Sequence, residues 1–333
     1  MDALPPELTA WAHHILTTPD PAQKTALTFA ACRLWNSGQL SVGPARPLSI
    51  VPPRPEGVRL VAPRELQRRG KGGSVESRVR MLHSLASIEQ WAVDLAWDII
   101  ARFAEYTVQA PDGTRHELER DFFDDFVRMA GEEANHFNLL RGRLKSLGTD
   151  FGALPSHAGL WESATTTSHD LLCRLVIVHM VHEARGLDVN PRTIAKFSSA
   201  GDAESVEKLD VIYRDEISHV ATGTKHFERL ARVVGVESVK TFHEIFWRHF
   251  KGNTKPPFNE EARREAGMAR EMYWPLAEAG RDGASAGAGG GTCASGSAGD
   301  ADADEKEDIE GEVSNEGAIY SKECRGWGRH FVC

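Results

Sequence analysis

The chain reads as all-α: a four-helix bundle with a long crossover between its second and third helices, plus N-terminal and C-terminal helical extensions. Three observations carry that reading. Four central stretches repeat apolar residues every third or fourth position, the period of one helix face. No period-two alternation of β-branched residues competes with them. The connections run short, long, short; short ones make antiparallel neighbours, and a long one lets two hairpins pack as a bundle.

The first helix is expected from about Ser74 to Tyr106, with Leu82, Leu85, Glu89, Ala92, Ala96, Ile99 and Phe103 on one face. Ser74 suits its N-cap and Glu76 its first turn. A turn, "APDG" at 110–113, follows. The second helix spans about Leu118 to Leu147, with Phe122, Phe126, Met129, Glu133, His136, Leu140 and Leu144 inward and Gly148 suited to its C-terminal cap. Glu117, Glu119 and Asp121 favour a helix N-terminus there. The crossover "GTDFGALPSHAGLWESATTT" comes next. The third helix covers about Ser168 to Arg185, with Leu172, Leu175, Val176, His179 and Glu183 on one face. "GLDVNP" is expected to stop it, because Pro191 lacks the N–H a helix needs. The fourth runs from about Asp202 to Val234 with a stripe of Leu209, Ile212, Glu216, His219, Gly223, Phe227 and Leu230. Trp91, Trp97, Trp161 and Trp247 read as core.

Three regions follow. Residues 1–73 form an N-terminal extension with short helices and the Pro-rich "VPPRPEG". Residues 74–280 hold the bundle and its C-terminal helical extension. Residues 281–333 are low-complexity, acidic and expected to be disordered.

Composition narrows the function classes. At 41% apolar and 26% charged, the chain has the make-up of an ordinary globular protein. Its net charge is −9, and most of that sits in the tail, with eleven acids against five bases. Neither nucleic acid nor an anionic membrane is implied as an obligatory partner. The local exception is a basic stretch holding Arg64, Arg68, Arg69, Lys71, Arg78 and Arg80, which reads as a solvated linker or a phosphate-binding rim. The five cysteines are odd in number and never spaced as CxxC, so neither a disulfide framework nor a zinc site follows from them. The start lacks a signal-peptide pattern, and no apolar run reaches membrane-spanning length. A cytoplasmic or nuclear location is expected.

Charged residues inside apolar stripes demand an explanation, because burying an unpaired carboxylate is costly. Each of the four helices carries one such Glu: Glu89, Glu133, Glu183 and Glu216. Two of them are followed three residues later by His, in "EANH" (His136) and "EISH" (His219). Positions i and i+3 share a helix face, so each pair can chelate one ion. One Glu from each of two helices and Glu-x-x-His from each of two others is the inward-facing di-metal pattern of ferritin-like bundles. Four carboxylates and two neutral imidazoles balance two divalent ions, and mixed oxygen and nitrogen donors suit iron, with manganese as the alternative. Glu132 and Asp215 immediately precede the paired glutamates, and one of them could accept the remaining ring N–H of a ligand histidine. The competing role for these acids is a salt bridge to Arg128 or Arg185. His179 and His182 flank Glu183 and read as packed or outer-layer histidines rather than ligands. Tyr213, one turn before Glu216, reads as packing or as a redox relay.

The motifs "EEANHFNLLRGRLKSLG", "HEARGLDVNP" and "YRDEISHVATGTKHF" closely resemble the ferritin-like family DUF455, as do "VPPRPEG", "GLWE" and "PPFNEEARREAGM". The resemblance covers roughly residues 1–275 and implies the same six ligands. Where that family often has His two residues before the first-helix Glu, this chain has Ser87. The family is similar to the tRNA hydroxylase MiaE and, more distantly, to rubrerythrins and bacterioferritins. The expected function is a di-iron oxidase or hydroxylase. Its partners would be O2 or peroxide, an unidentified electron donor, and a small molecule or a modified tRNA nucleoside as substrate. The alternative is a ferroxidase or iron-binding protein without organic substrate. The large terminal additions argue against a storage cage and leave room for a homodimer.

Overall fold

The computed structural model describes residues 6–66, 70, 72–252 and 254–286, and the fold is all-α apart from one small hairpin. The tail expected to be disordered lies, from residue 287, outside the described residues.

Helices α1 (Leu8–Thr17) and α2 (Pro21–Asn36) form the N-terminal extension. Pro21 opens α2, and the Asp20 carboxylate accepts from the Gln23 amide at 2.7 Å, a capped start in which proline costs nothing. The pair lies on α3 (Val75–Phe103) and α4 (Arg120–Ser146) and shares their core. Trp97 donates to the Thr28 hydroxyl at 3.0 Å, and Trp35 donates to Asp124 at 2.8 Å. Because the extension covers its outer face, α3 is buried continuously from Glu89 to Ala101. That is why "WAVDLAWDIIA" has no polar stripe. Its two aspartates are neutralised where they lie. Asp94 is paired with buried Lys24 and with Arg54 at 2.7 Å, whose guanidinium sits 3.4 Å from the Trp91 ring centre. Asp98 is paired with Arg174 at 2.5 Å and Arg102 at 2.7 Å. Removing one partner from such a pair leaves an uncompensated buried charge, at a cost of about 3–5 kcal/mol.

Strands β1 (Thr107–Gln109) and β2 (Arg115–Glu117) pair antiparallel around the expected turn, with Val108 opposite His116. Three-residue strands are too short to display alternation, so only their turn was legible. The crossover carries α5 (Gly159–Thr166), and its Trp161 stacks on Trp91 with ring centres 6.2 Å apart.

The third helix corrects the sequence reading. It starts as α6 (Leu171–Arg174), widens into a π segment over Leu175–His182, and continues as α7 (Glu183–Ser199), straight through Pro191. Proline leaves the carbonyl four residues back, Leu187, without its helical donor. The Asn259 side-chain amide supplies that donor at 3.2 Å, so the helix continues. Its link to α8 (Ala203–Val234) is therefore only residues 200–202, with Gly201 at φ +70°. Asp202 caps the start of α8, and Gly235 at φ +77° ends it.

Helices α9 (Ser238–His249), α10 (Glu260–Glu265) and α11 (Arg270–Ala286) form the C-terminal extension. Trp247 is 54% exposed, against the expectation of a core position: α9 buries Phe242, Ile245 and Phe246, and the next residue turns outward. Trp91, Trp97 and Trp161 are buried as expected. Among the described residues no helix is long and apolar enough to cross a membrane.

The apolar core falls into three clusters: one of Trp91, Leu95, Trp161, Ala164 and Val178 beneath the crossover, and two that flank the helix positions between them. The larger of these two holds Val93, Phe126, Met129, Val176 and Val220; the smaller holds Ala86, Phe137, Leu140 and Ile212. Between them, on α3, α4 and α8, lie the ionisable residues Glu89, Glu133, His136, Glu216 and His219.

Candidate metal centre

All six residues expected to bind metal come together. Glu89 projects from α3, Glu133 and His136 from α4, Glu216 and His219 from α8, and Glu183 from the first position of α7, where the π segment ends. They form two overlapping groups: Glu89, Glu133, His136 and Glu216, and then Glu133, Glu183, Glu216 and His219. Within each group, one donor atom per residue lies within 4.8 Å of the others. Glu133 and Glu216 belong to both. All are buried except Glu183, which is partly exposed.

The outer hydrogen bonds are crossed between the helices. His136 Nε2 pairs with Asp215 of α8 at 2.9 Å, and His219 Nε2 pairs with Glu132 of α4 at 3.0 Å. Both acids thus take the outer-layer position, and Glu132 also takes the salt bridge, 2.6 Å from Arg128. An acid accepting at Nε2 holds a proton there and leaves Nδ1 aimed inward, where it can take a metal ion or a second proton. His136 Nδ1 then faces Glu89 and Glu133, each at 3.5 Å, and His219 Nδ1 faces Glu133 at 2.9 Å and Glu216 at 3.6 Å. These are short approaches without hydrogen-bond geometry: among the described residues, both Nδ1 atoms, both Glu133 oxygens and one Glu216 oxygen have no hydrogen-bond partner. Lone pairs converge on lone pairs, an arrangement that needs cations or added protons.

The protonation equilibria report the same crowding. Burial, then the Glu133 charge, pushes Glu89 well above the usual carboxylate range; burial, then Glu216 and Glu133, does the same to Glu183. Burial works against a charged His136, yet Asp215, Glu133 and Glu89 push it up to about 12. Burial likewise opposes a charged His219, but Glu133 and Glu132 raise it. Against burial, His219 and His136 hold Glu133 well below its ordinary value. Protons therefore stand in for cations when no metal is bound, and the six donors fit two divalent ions in number, type and charge.

His179 lies beside the cluster, its Nδ1 4.0 Å from Glu183 and its ring edge-on to Phe126. Burial and then Arg174 hold it neutral, and among the described residues neither ring nitrogen has a hydrogen-bond partner. His182 does not support the cluster. It turns to the crossover, where its Nε2 pairs with the Ser163 hydroxyl at 2.9 Å, and it packs on Phe250. Tyr213 is engaged elsewhere, accepting from Asn259 at 2.7 Å. In the basic stretch, Arg78 is paired with Asp202 at 3.1 Å, while Arg68, Arg69 and Lys71 lie outside the described residues.

Two groups escaped the sequence reading. Asp94 and Asp98 carried a usable signal, acids one turn apart inside an unbroken apolar run. The grouping of His169, Cys173 and His249 had none, because His249 arrives from a distant helix.

The chain is 34% identical over 270 residues to an uncharacterized protein of Haemophilus influenzae, a match spanning 77% of this chain and 91% of that relative. No solved structure matches. Residues 17–274 match the family described as "Protein of unknown function (DUF455)", and the chain belongs to that family.

Proposed function

We propose that this protein is a di-iron carboxylate oxidase or hydroxylase that consumes O2. The observation that carries the proposal is the inward-facing, unpartnered Nδ1 of both histidines, each set against carboxylates that also lack donors. Four carboxylates and two neutral imidazoles cancel the charge of two divalent ions, which would take the place of the protons the cluster otherwise holds. Iron held there would supply the electrons for oxygen reduction, and manganese suits the same donors.

The roles of the chain's own residues follow from position. Glu133 and Glu216, common to both groups, would be shared between two ions, and Glu89 and Glu183 would each serve one. Asp215 and Glu132 fix the histidine tautomers. Glu183 has the most exposed side chain of the six, at 14% exposure, and so is best placed to yield a position to an incoming reactant. The resemblance to tRNA hydroxylases supports a modified nucleoside as substrate. Arg78 is already committed to Asp202, so it adds nothing to a phosphate-binding rim.

A second reading, ferroxidase without organic substrate, draws on access. The partly exposed edge at Glu183 admits an ion more readily than a nucleoside. Anaerobic titration with Fe(II), followed by exposure to O2, tests both readings. Two ions per chain and an absorbance change on oxygenation are expected; failure to bind iron would sink both. Repeated turnover with Fe(II) as the only reductant marks the ferroxidase, and dependence on an added electron donor marks the hydroxylase.

A further inference from the structure

We propose that His169, Cys173 and His249 form a second, separate metal site that takes one thiophilic transition ion of the zinc class. The proposal is independent of the di-iron reading, since it uses none of the same residues. His169 and Cys173 lie at the head of the third helix, on either side of its Asp170 N-cap, and His249 is the last residue of α9. One donor atom from each lies within 4.8 Å of the other two.

Zinc bond lengths can be set against this geometry. Tetrahedral zinc has Zn–S of about 2.3 Å and Zn–N of about 2.0–2.1 Å, which places sulfur and nitrogen about 3.5 Å apart. Cys173 Sγ and His249 Nε2 are 3.6 Å apart. With each ring centre about 1.1 Å behind its nitrogen, two imidazoles on one zinc ion have centres about 5 Å apart. The His169 and His249 ring centres are 5.4 Å apart, with planes inclined at 41°. A simple Cys173 S–H bond to His249 would account for one of these separations and leaves the approach of His169 without a purpose.

The chemistry of the donors selects the ion. One thiolate and two imidazoles favour zinc, cobalt or copper over magnesium, calcium or manganese. Zinc with one thiolate carries a net single positive charge, and Asp170 lies alongside to balance it. Asp170 is held in place, accepting from the Cys173 amide at 2.8 Å and the Tyr106 hydroxyl at 3.2 Å. Arg174 is turned away to Asp98 and Thr167, and the cation that acts on Cys173 and His249 is Arg248, whose charge favours the thiolate. His169 is exposed, His249 partly so and Cys173 buried, so an ion enters from the His169 side and keeps a fourth position toward solvent. Binding releases the thiol proton to water and involves no change of oxidation state. The ion would pin the end of α9 to the head of the helix that carries Glu183.

Cobalt(II), a spectroscopic stand-in for zinc, tests this in the full-length reduced protein. One equivalent should produce a near-ultraviolet thiolate-to-cobalt charge-transfer band with tetrahedral visible bands, and zinc should bleach both. The carboxylate–histidine cluster contains no thiolate and cannot give that charge-transfer band. Cys173→Ser should abolish it, and His169→Ala, a change at an exposed side chain, should weaken cobalt binding at least tenfold. Cys32→Ser should leave it intact. No band in the parent protein, a band that survives Cys173→Ser, or one indifferent to His169→Ala would each overturn the proposal.

Discussion

Gly223→Ala should destabilise the protein by about 2 kcal/mol and lower its metal content, and the expectation can be worked from one contact. Gly223 lies on α8 where that helix crosses the π segment. A methyl group there would overlap the His179 carbonyl oxygen and stand 2.7 Å from the His179 carbonyl carbon and 3.1 Å from Met180 Cγ. Non-bonded carbons settle at about 3.5–4.0 Å and carbon–oxygen contacts a few tenths closer, so relieving the oxygen contact parts the helices by about 1 Å. The obstructing atoms are main-chain and cannot rotate aside. Overpacking a core costs about 1–3 kcal/mol, and the upper end applies here. Replacing a helical glycine with alanine returns about 1 kcal/mol, which leaves the net of about 2. With a urea m-value of about 3 kcal/mol/M, the midpoint should fall by about 0.7 M. Gly142→Ala is the matched control: Gly142 is exposed on α4 with open space beside it, and its change should add about 0.5–1 kcal/mol. Gly223 is one turn beyond His219, and His179 one turn before Glu183, so the same separation pulls Glu183 from Glu216. A Gly223→Ala protein as stable as Gly142→Ala would refute the close backbone crossing and the placement of Glu183 that depends on it.

Glu133→Ala should eliminate two-metal occupancy, because Glu133 belongs to both donor groups; unchanged metal content by elemental analysis would remove its bridging role. Asp215→Ala releases the His136 tautomer, and loss of such an outer partner typically weakens metal binding about 10–100-fold. With Asp215 34% exposed, the lower end is expected in a competition titration, and no change at all would count against the crossed hydrogen bonds. The thermal midpoints with and without Mn(II) should diverge as pH rises from about 6 to 8. His136 and His219 are raised in the metal-free fold, so their contribution is complete below the unfolded value of about 6.5 and is lost as pH climbs toward the folded value, about 12 for His136. Metal binding strengthens over the same interval because its donors must be deprotonated, and a constant or shrinking gap would contradict the assignment.

The four ligand-bearing helices were legible because a buried carboxylate is costly enough that an acid on an apolar stripe must have a purpose. The helix period then placed His136 and His219 beside Glu133 and Glu216. What stayed hidden depends on distant partners. Pro191 looks like a stop from its own chemistry, and it becomes tolerable only because Asn259 reaches Leu187 from 72 residues away. The π segment has no local signature, since widening a turn changes which residues share a face without changing the residues themselves. Of the two roles open to His182, packed or outer-layer, the structure takes the packed one: one residue before Glu183, it is carried round to Ser163 and Phe250. The apolar breadth of α3 carried a signal of a covered outer face that went unread, and nothing local showed that Lys24 and Arg54 would come from the extension to pair with Asp94.

The Pro191–Asn259 relationship can be isolated by a double-mutant cycle. The Asn259 side chain makes three hydrogen bonds: it donates to the Leu187 carbonyl at 3.2 Å and to Tyr213 at 2.7 Å, and its oxygen accepts from the Ala262 amide at 3.2 Å, capping α10. Asn259→Ala should therefore cost about 2–4 kcal/mol, combining a lost cap with a carbonyl left unsatisfied. Pro191→Ala restores the main-chain N–H that Leu187 would otherwise use. In that background the carbonyl no longer depends on Asn259, whereas the contacts to Tyr213 and Ala262 are unaffected. The cost of Asn259→Ala should then shrink by about 1 kcal/mol, the worth of one hydrogen bond. Because the cycle subtracts everything the two backgrounds share, only the Leu187 carbonyl can supply that difference. Urea unfolding of the four proteins measures it. Effects that add within about 0.5 kcal/mol would show that Asn259 does not carry the helix past Pro191, and another cause for the continuous third helix would be required.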